Sequence, residues 1–227
     1  MKRRRRPLVF ASLVVVLAGL AGIVRYVWLP QHRPALGAGE QYGIDVSAHQ
    51  GKIDWQRVAA DGIDFAYIKV TEGERTSDRR FRSNWDGAGH AGIRRGGYHF
   101  FTLCAGAEHQ AKWFIGFLPA DPAGLAPAVD LELAGNCRAR PNRDTVLDEV
   151  RSFVSRVETA TSKQMLVYVG DDFEARYKLR SLLEHPLWLR RFLRMPSDDS
   201  WAVWQVHGFA HVNGIEGNVD LDVMRER

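Results

Sequence analysis

The sequence contains few of the residues that build metal centres or disulfide frameworks. Only two of its 227 residues are cysteine, Cys104 and Cys137, and its eight histidines are scattered. No C-x-x-C or H-E-x-x-H spacing occurs, so the pattern does not predict a zinc site. We therefore expect an activity that needs neither a metal nor another cofactor.

Acidic residues are missing from the first 34 positions, which carry seven Lys and Arg. The whole chain has 31 basic and 27 acidic residues and a net charge of +4, but the positions after 34 hold 24 basic and all 27 acidic residues, a net charge of about −3. A mildly acidic domain does not favour binding to nucleic acid. The length favours one domain with a full hydrophobic core.

The N-terminus has the pattern of an exported protein. Residues 1–7 form a basic tail, and residues 8–29 form an apolar stretch about as long as a bilayer is thick. The tail should stay in the cytoplasm, and Tyr26 and Trp28 suit the far interface. We favour an anchor in the inner (cytoplasmic) membrane, with the domain that follows it in the periplasm, because no clean A-x-A site follows the apolar run. The alternative is a cleaved signal sequence and a secreted or periplasmic protein.

Residues 30–40 are predicted to be a short linker, and residues 41–227 one domain of alternating β and α segments. Five β-α units followed by three strands with little helix between them predict a shortened parallel α/β barrel. The predicted strands are Tyr42–Val46, Phe65–Val70, Gly97–Phe101, Ala126–Glu132, Met165–Val169, Leu187–Leu189, Ala202–Val206 and Val219–Leu221. The predicted helices are Trp55–Asp61, Ser77–Ala91, Ala107–Phe117, Arg143–Thr159 and Phe173–Leu183.

The segment APAVDLELA places two carboxyl groups, Asp130 and Glu132, two positions apart in an apolar strand. Side chains at i and i+2 leave the same face of a strand, so the two groups should lie about 6.5–7 Å apart along it. Like charges this close push their pKa values apart, which separates a proton donor from a charge stabiliser. Glycosidases use such a carboxyl pair.

Acidic and aromatic residues recur near the ends of the other predicted strands, where a parallel barrel has its active site. Carboxylates and amides accept hydrogen bonds from sugar hydroxyls, and aromatic faces stack on sugars. The pattern therefore predicts a sugar-binding cleft. Lys69 and Glu72 are expected to pair with each other as readily as to act in catalysis, and Arg190 and Arg191 to lie on a solvated face. The predicted cleft residues besides Asp130 and Glu132 are Asp45, Tyr98, Tyr168, Trp188, Trp204, Gln205 and Asp220.

The two cysteines follow consecutive predicted strands. In a parallel barrel the ends of these strands are neighbours, and an oxidising compartment favours a disulfide between Cys104 and Cys137. Two unrelated buried thiols are the alternative.

Several ordered segments resemble glycoside hydrolase family 25, the Chalaropsis-type lysozymes that act as N-acetylmuramidases. They are YGIDVSAHQGKIDW, FAYIKVTEG, AGIRRGGYHFF, PAVDLEL, PLWL, WQVHG and GNVDLDVM, and they span the chain from about Tyr42 to Met224. The resemblance implies a TIM-like modified (β/α)5(β)3 barrel, which would follow the transmembrane helix predicted from the apolar N-terminal stretch. It also implies hydrolysis of the β-1,4 bond from N-acetylmuramic acid to N-acetylglucosamine in peptidoglycan glycan strands, with net retention and substrate assistance.

The same resemblance implies roles for four acids. Glu132, the second acid of the D-x-E motif, would be the general acid, and Asp130 would support the N-acetyl group of the reactive sugar. Asp45 and Asp220 match the acids of the family's first strand and late V-D-L motif. The protein is expected to act as a monomer.

Two other functions compete with this interpretation. A chitinase-like N-acetylhexosaminidase also uses a D-x-E pair, but its acidic run is longer than the one that ends at Glu132. A non-catalytic peptidoglycan-binding barrel would be expected to have lost one of the catalytic acids, and all four are present.

Overall fold

The computed structural model describes residues 5–197 and 201–225. The predicted basic tail therefore lies partly outside the described residues. The N-terminal helix runs as α1 (Arg5–Ile23), a π-helical turn (Val24–Trp28) and α2 (Leu29–Gln31). Its segment Leu13–Gln31 is long and apolar enough to cross a membrane by length and composition, with a mean hydropathy of 2.0. The large apolar side chains from Leu13 to Trp28 that the structure describes are exposed.

The remainder of the described chain forms a closed eight-stranded barrel with a short additional strand. β1 closes it by pairing with both β2 and β9, and β3 pairs only with β2. The strands are β1 (Glu40–Val46), β2 (Phe65–Glu72), β3 (Thr76–Ser77), β4 (Arg94–Phe100), β5 (Ala128–Leu131), β6 (Leu166–Val169), β7 (Leu187–Arg190), β8 (Trp201–Ala210) and β9 (Val219–Arg225).

The barrel is not entirely parallel, which corrects the sequence prediction. Strands β1 to β8 of the barrel run parallel, whereas β9 is antiparallel to both of its neighbours. The reason is the connection between β8 and β9, which is too short for the crossover that parallel neighbours need. As a result, the beginning of β9 lies at the edge where the parallel strands end.

Five helices lie between the strands, close to their predicted positions. The helix predicted from Ser77 begins only at Phe81, because Thr76 and Ser77 pair with β2. The helix predicted as Phe173–Leu183 ends early, since Lys178 has a left-handed backbone. The helices are α3 (Trp55–Ala60), α4 (Phe81–His90), α5 (Ala107–Phe117), α6 (Arg143–Thr161) and α7 (Asp171–Tyr177).

Helix α6 shows how the sequence defines these elements. The Asn142 side chain accepts a hydrogen bond from the Thr145 backbone N–H and caps the first turn, and a left-handed Ser162 ends the helix. One face of the helix is an apolar stripe that is buried in the fold, formed by Val146, Val150, Phe153, Val154 and Val157. This stripe packs on the barrel exterior and belongs to the main core.

A second, smaller core fills the barrel interior below the cleft. It includes Phe65, Tyr67 and Trp188. Two glycines make room for it: a Cβ on Gly43 would lie 2.2 Å from the Phe65 ring, and one on Gly96 would lie 2.5 Å from the Tyr67 ring. These packed aromatic side chains form the floor on which the cleft lies.

The segment predicted as a linker packs on the barrel over its first residues. Pro30 is buried, and its carbonyl accepts a hydrogen bond from the His211 backbone N–H at 2.9 Å. The His32 carbonyl is 3.0 Å from His207 Nε2, and Arg33 forms an ion pair with Asp61. This segment covers the outside of β8, where the fold has no crossover helix.

Candidate active site

A cleft of about 530 Å³ opens at the ends of the parallel strands. Eight of the nine predicted site residues line it, although they come from seven different strands or strand ends. The eight are Asp45, Tyr98, Asp130, Glu132, Tyr168, Trp188, Gln205 and Asp220.

Asp130 lies on β5 and Glu132 immediately follows that strand. The alternation predicted from the sequence is present, because Val129 and Leu131 are fully buried in the outer core while Asp130 lines the cleft. Asp130 carries a buried carboxyl oxygen, Oδ1, without a hydrogen-bond donor among the described residues.

The surroundings of Asp130 and Glu132 favour their protonated forms. Burial and the charge of Glu132 raise the pKa of Asp130 well above its usual range. Burial and the nearby Asp172 raise the pKa of Glu132 to about 7, against the opposing charge of Arg190. Glu132 can thus carry a proton near neutral pH, as a general acid must.

Asp45 and Asp220 oppose each other on neighbouring antiparallel strands, β1 and β9. Burial and then the charge of Asp220 raise the pKa of Asp45, while a hydrogen bond from Gln205 Nε2 at 2.9 Å acts in the opposite direction. Burial raises the pKa of Asp220 to about 6, and Arg190 opposes the shift. These two carboxyl groups come together because β9 runs antiparallel to β1.

Asp222 is a further carboxyl group beside the cleft. It is fully buried, and its Oδ1 accepts a hydrogen bond from Trp188 Nε1 at 3.0 Å. Burial and the charge of Asp220 raise its pKa well above the usual range. The i, i+2 alternation from Asp220 is the sequence signal for this position.

The aromatic residues fall into two groups. Tyr98, Tyr168 and Trp188 line the cleft, and Tyr168 and Trp188 meet edge to face with ring centroids 5.6 Å apart. Trp204 does not line the cleft. It is buried in the outer core, and its indole N–H donates to the Arg191 carbonyl. Its neighbour Gln205 points inward, and adjacent residues of a strand point to opposite faces, so Trp204 is not placed to contact a sugar.

Of the charged residues considered in the sequence, Arg190 lies elsewhere than predicted, whereas Lys69 and Glu72 form the predicted pair. Arg190, predicted on a solvated face, lines the cleft and lowers the pKa of Glu132 and Asp220. Its position at the end of β7 is the signal that could have identified it. Lys69 Nζ lies 2.7 Å from Glu72 Oε2, so these two residues do pair, and both line the cleft.

The loop after β1 supplies further cleft residues. Ser47 and Gln50 form a reciprocal capping box around a short 3-10 turn, and the Ala48 backbone N–H donates to Asp78 Oδ2 at 2.7 Å. Ser47, His49 and Gln50 thereby form one rim of the cleft.

The predicted disulfide is present between Cys104 and Cys137. It joins the loops that follow β4 and β5, the two strands that carry Tyr98 and Asp130. Asn136 strengthens this connection, since its side chain donates to the Phe101 and Glu132 carbonyls. The loop that carries Glu132 is therefore held on both sides.

A cleft with acids at the strand ends, aromatic walls and a carboxyl group at its opening that can carry a proton near neutral pH suits glycoside hydrolysis. The family model for glycosyl hydrolases family 25 matches residues 44–217. The chain belongs to this family. The matched range includes Asp45, Asp130 and Glu132, whereas Asp220 lies three residues beyond it.

Comparisons of sequence and structure agree with this family. The enzyme is 35% identical over 190 residues to the uncharacterized protein YegX of Escherichia coli K12. The matched region covers 80% of this chain and 68% of YegX. It is 32% identical over 218 residues to Lysozyme M1 of Streptomyces globisporus, covering 82% and 68% of the two chains. A family 25 glycosyl hydrolase from Bacillus anthracis superposes with a TM-score of 0.78 at 29% identity, covering 87% of this chain and 94% of that one.

Proposed function

We propose that this glycoside hydrolase is a lysozyme that cleaves the β-1,4 bond from N-acetylmuramic acid to N-acetylglucosamine in peptidoglycan. The observation that supports it best is the pair of carboxyl groups in the cleft, which differ in their surroundings: one lines the opening and the other has a buried oxygen. Glu132 has a pKa of about 7 and lines the opening, and Asp130 presents a buried oxygen without a donor among the described residues. Family membership and the likeness to a lysozyme support the substrate.

In the proposed mechanism Glu132 donates its proton to the glycosidic oxygen as the C1–O bond breaks. The carbonyl oxygen of the substrate's own acetamido group attacks C1 and forms an oxazolinium ion, while the Asp130 carboxyl group accepts a hydrogen bond from the acetamido N–H. Glu132, now ionised, takes a proton from the water that attacks C1, so the configuration at C1 is retained. Asp45 and Asp220 position the sugar and the water.

The surroundings of Asp130 support substrate assistance over attack by Asp130 itself. A carboxylate nucleophile must be ionised, and burial together with the charge of Glu132 disfavours the ionised form of Asp130. An acetamido N–H needs only an acceptor, which a carboxyl group provides whether it is ionised or protonated.

Product analysis with the full chain in detergent tests the function. Peptidoglycan fragments would be reduced with borohydride and identified by mass spectrometry, and new ends should carry reduced N-acetylmuramic acid. Glu132→Gln should lower the rate by at least about 100-fold, the contribution of one general acid. Glu108→Gln, which removes an exposed charge on α5, is the matched control.

The alternatives predict other products. Ends with reduced N-acetylglucosamine, or turnover of chitin, would indicate a different N-acetylhexosaminidase. Binding to peptidoglycan without new ends from the folded chain would indicate a non-catalytic barrel. Near-normal turnover by Glu132→Gln would refute the assigned acid.

We further propose that residues 8–29 anchor a monomeric enzyme in the inner membrane, with the barrel in the periplasm. The exposed apolar surface from Leu13 to Trp28 supports the anchor. The mass of the intact protein recovered from membranes tests it. Loss of the first 25 to 30 residues would instead establish a cleaved signal sequence.

A further inference from the structure

Aromatic and basic residues at the exit of the N-terminal helix meet aromatic residues of the barrel. The Arg25 guanidinium lies 4.2 Å from the centroid of the Phe209 ring, and the Phe209 and Phe192 rings are 6.4 Å apart. Tyr26 and Trp28, on the same turn of helix as Arg25, are 74% and 47% exposed. We call Arg25, Tyr26, Trp28, Phe192 and Phe209 the interfacial patch.

The barrel part of this patch is held in place while remaining exposed. Phe192 is 56% exposed, although the backbone around it is fixed by hydrogen bonds from Arg191 N and Leu193 N to the carbonyls of β8. Leu193 has a left-handed backbone and packs on the core, so the loop presents Phe192 outward. The exposed Phe192 continues through Phe209 to the exposed aromatic residues of the helix, and a contiguous apolar surface of this kind indicates contact with another apolar phase.

The connection between the helix and the barrel is also fixed. Leu29 is 5% exposed. The Pro30 carbonyl accepts a hydrogen bond from the backbone N–H of His211, directly after β8, and the His32 carbonyl is 3.0 Å from His207 Nε2 on β8, so the chain is attached directly after the helix. A helix that crosses a bilayer would therefore carry the barrel at the membrane surface without a free tether.

The cleft lies next to the patch. Arg190, which lines the cleft, is two residues before Phe192, and two residues span at most about 7 Å. On β8, a Cβ on Gly208, the residue before Phe209, would lie 2.8 Å from Asp220 Oδ1. Each patch residue of the barrel therefore lies within two positions of a residue beside the cleft.

We propose that the barrel rests on the lipid headgroups through the interfacial patch, so that the cleft opens beside the bilayer and takes the glycan strands nearest the membrane. The occupant of the patch is the bilayer that the helix enters, because the patch is continuous with the helix. Tyr and Trp favour the headgroup region, and Arg25 and the exposed Arg194 suit lipid phosphates. This inference rests on the proposed anchor and is independent of the bond that the enzyme cleaves.

Fluorescence quenching in nanodiscs tests the position of the barrel. The full chain would carry an environment-sensitive dye on Phe192→Cys, on Lys112→Cys of α5 across the barrel, or on Val16→Cys within α1, and the lipid would carry a nitroxide near the headgroup or in the upper acyl chain. Mass analysis would confirm that the Cys104–Cys137 disulfide is retained in each variant. The dye at position 192 should be quenched several-fold more strongly than the dye at position 112.

The dyes at positions 16, 112 and 192 distinguish failure of the patch proposal from failure of the anchor proposal. Quenching at 16 with equal, weak quenching at 192 and 112 would refute the patch and leave the anchor intact. The absence of quenching at position 16 would refute both. If anionic and zwitterionic lipids give the same result at 192, the aromatic residues rather than the arginines determine the contact.

A rate measurement tests the consequence for the substrate. Phe192→Glu places a charge against the headgroups and should lower, several-fold, the hydrolysis of glycan strands tethered by a lipid to the same nanodisc. Hydrolysis of soluble glycan by the same variant in detergent should equal that of the wild type. Equal rates on the tethered glycan would overturn the proposal that the patch orients the cleft.

Discussion

Gln205 donates a hydrogen bond from Nε2 to Asp45 Oδ2 at 2.9 Å, although 160 positions separate the two residues in the chain. The bond crosses from β8 to β1 over β9, the strand that carries Asp220. It lowers the pKa of Asp45, against the effects of burial and of the neighbouring aspartates. Gln205 is therefore a positioning residue for a carboxyl group of the cleft.

Removal of this donor should slow the enzyme. Gln205→Leu leaves Asp45 without the hydrogen bond, and a bond to a charged group contributes about 1.5–3 kcal/mol, so kcat should fall by at least about tenfold. Gln164→Leu, which removes an exposed amide remote from the cleft, is the control. Unchanged kcat for Gln205→Leu with unchanged thermal stability would contradict the role.

The pH profile should report the ionisation of Glu132. Because the general acid must be protonated, kcat/KM should be at its plateau below the Glu132 pKa of about 7 and should fall as the pH rises through that value. Two variants should move this alkaline limb in opposite directions. Asp172→Asn removes a charge that raises the pKa, so the limb should move to lower pH, and Arg190→Gln should move it to higher pH. A limb that stays in place in both variants would exclude Glu132 as its origin.

Asp222 should destabilise the fold at neutral and alkaline pH. Burial and the charge of Asp220 raise its pKa in the folded protein well above the usual range, so the folded state binds the proton more tightly. This stabilisation is lost as the pH rises from about 4, the usual aspartate pKa, through the raised pKa. Asp222→Asn keeps the acceptor for Trp188 and removes the charge. It should increase the free energy of unfolding at pH 8 by about 1–3 kcal/mol, the cost of an unsatisfied buried polar group.

Denaturant unfolding at several pH values measures this effect. The difference between Asp222→Asn and the wild type should shrink towards pH 4, while the exposed Asp148→Asn should show no such trend. A constant difference across the pH range would mean that the two side chains differ in packing and not in ionisation.

The disulfide should contribute measurably to stability. Cys104 and Cys137 are 33 positions apart, and closing a loop of this length stabilises a fold by about 3–4 kcal/mol in the chain-entropy model. Replacing both with serine should lower the melting temperature and loosen the loop that carries Glu132. The variant should also become insensitive to reducing agents, whereas the wild type should lose stability to the level of the variant on reduction. Equal melting temperatures before and after reduction would contradict a structural role.

Local sequence patterns predicted most of the site because strands and helices have fixed periods. The i, i+2 spacing of Asp130 and Glu132 predicted a shared face, and the ends of the parallel strands predicted that Tyr98, Tyr168 and Trp188 would meet. The same logic failed for Trp204, where the choice between the two faces of β8 depended on which neighbour, Trp204 or Gln205, the barrel interior could accommodate. The alternation of side chains along a strand can be predicted from a sequence. Which of two neighbouring side chains faces the barrel interior depends on packing.

The sequence by itself determined the apolar N-terminal segment, the order of the β and α elements and the identity of the acids, because each is written in local periodicity, charge or motif. Only the tertiary structure decided that β9 runs antiparallel and sets Asp220 opposite Asp45, that Arg190 reaches the cleft, and that Pro30 and His32 pack on β8. These relationships join residues far apart in the chain. They depend on burial and on the closure of the sheet, to which no local pattern is sensitive.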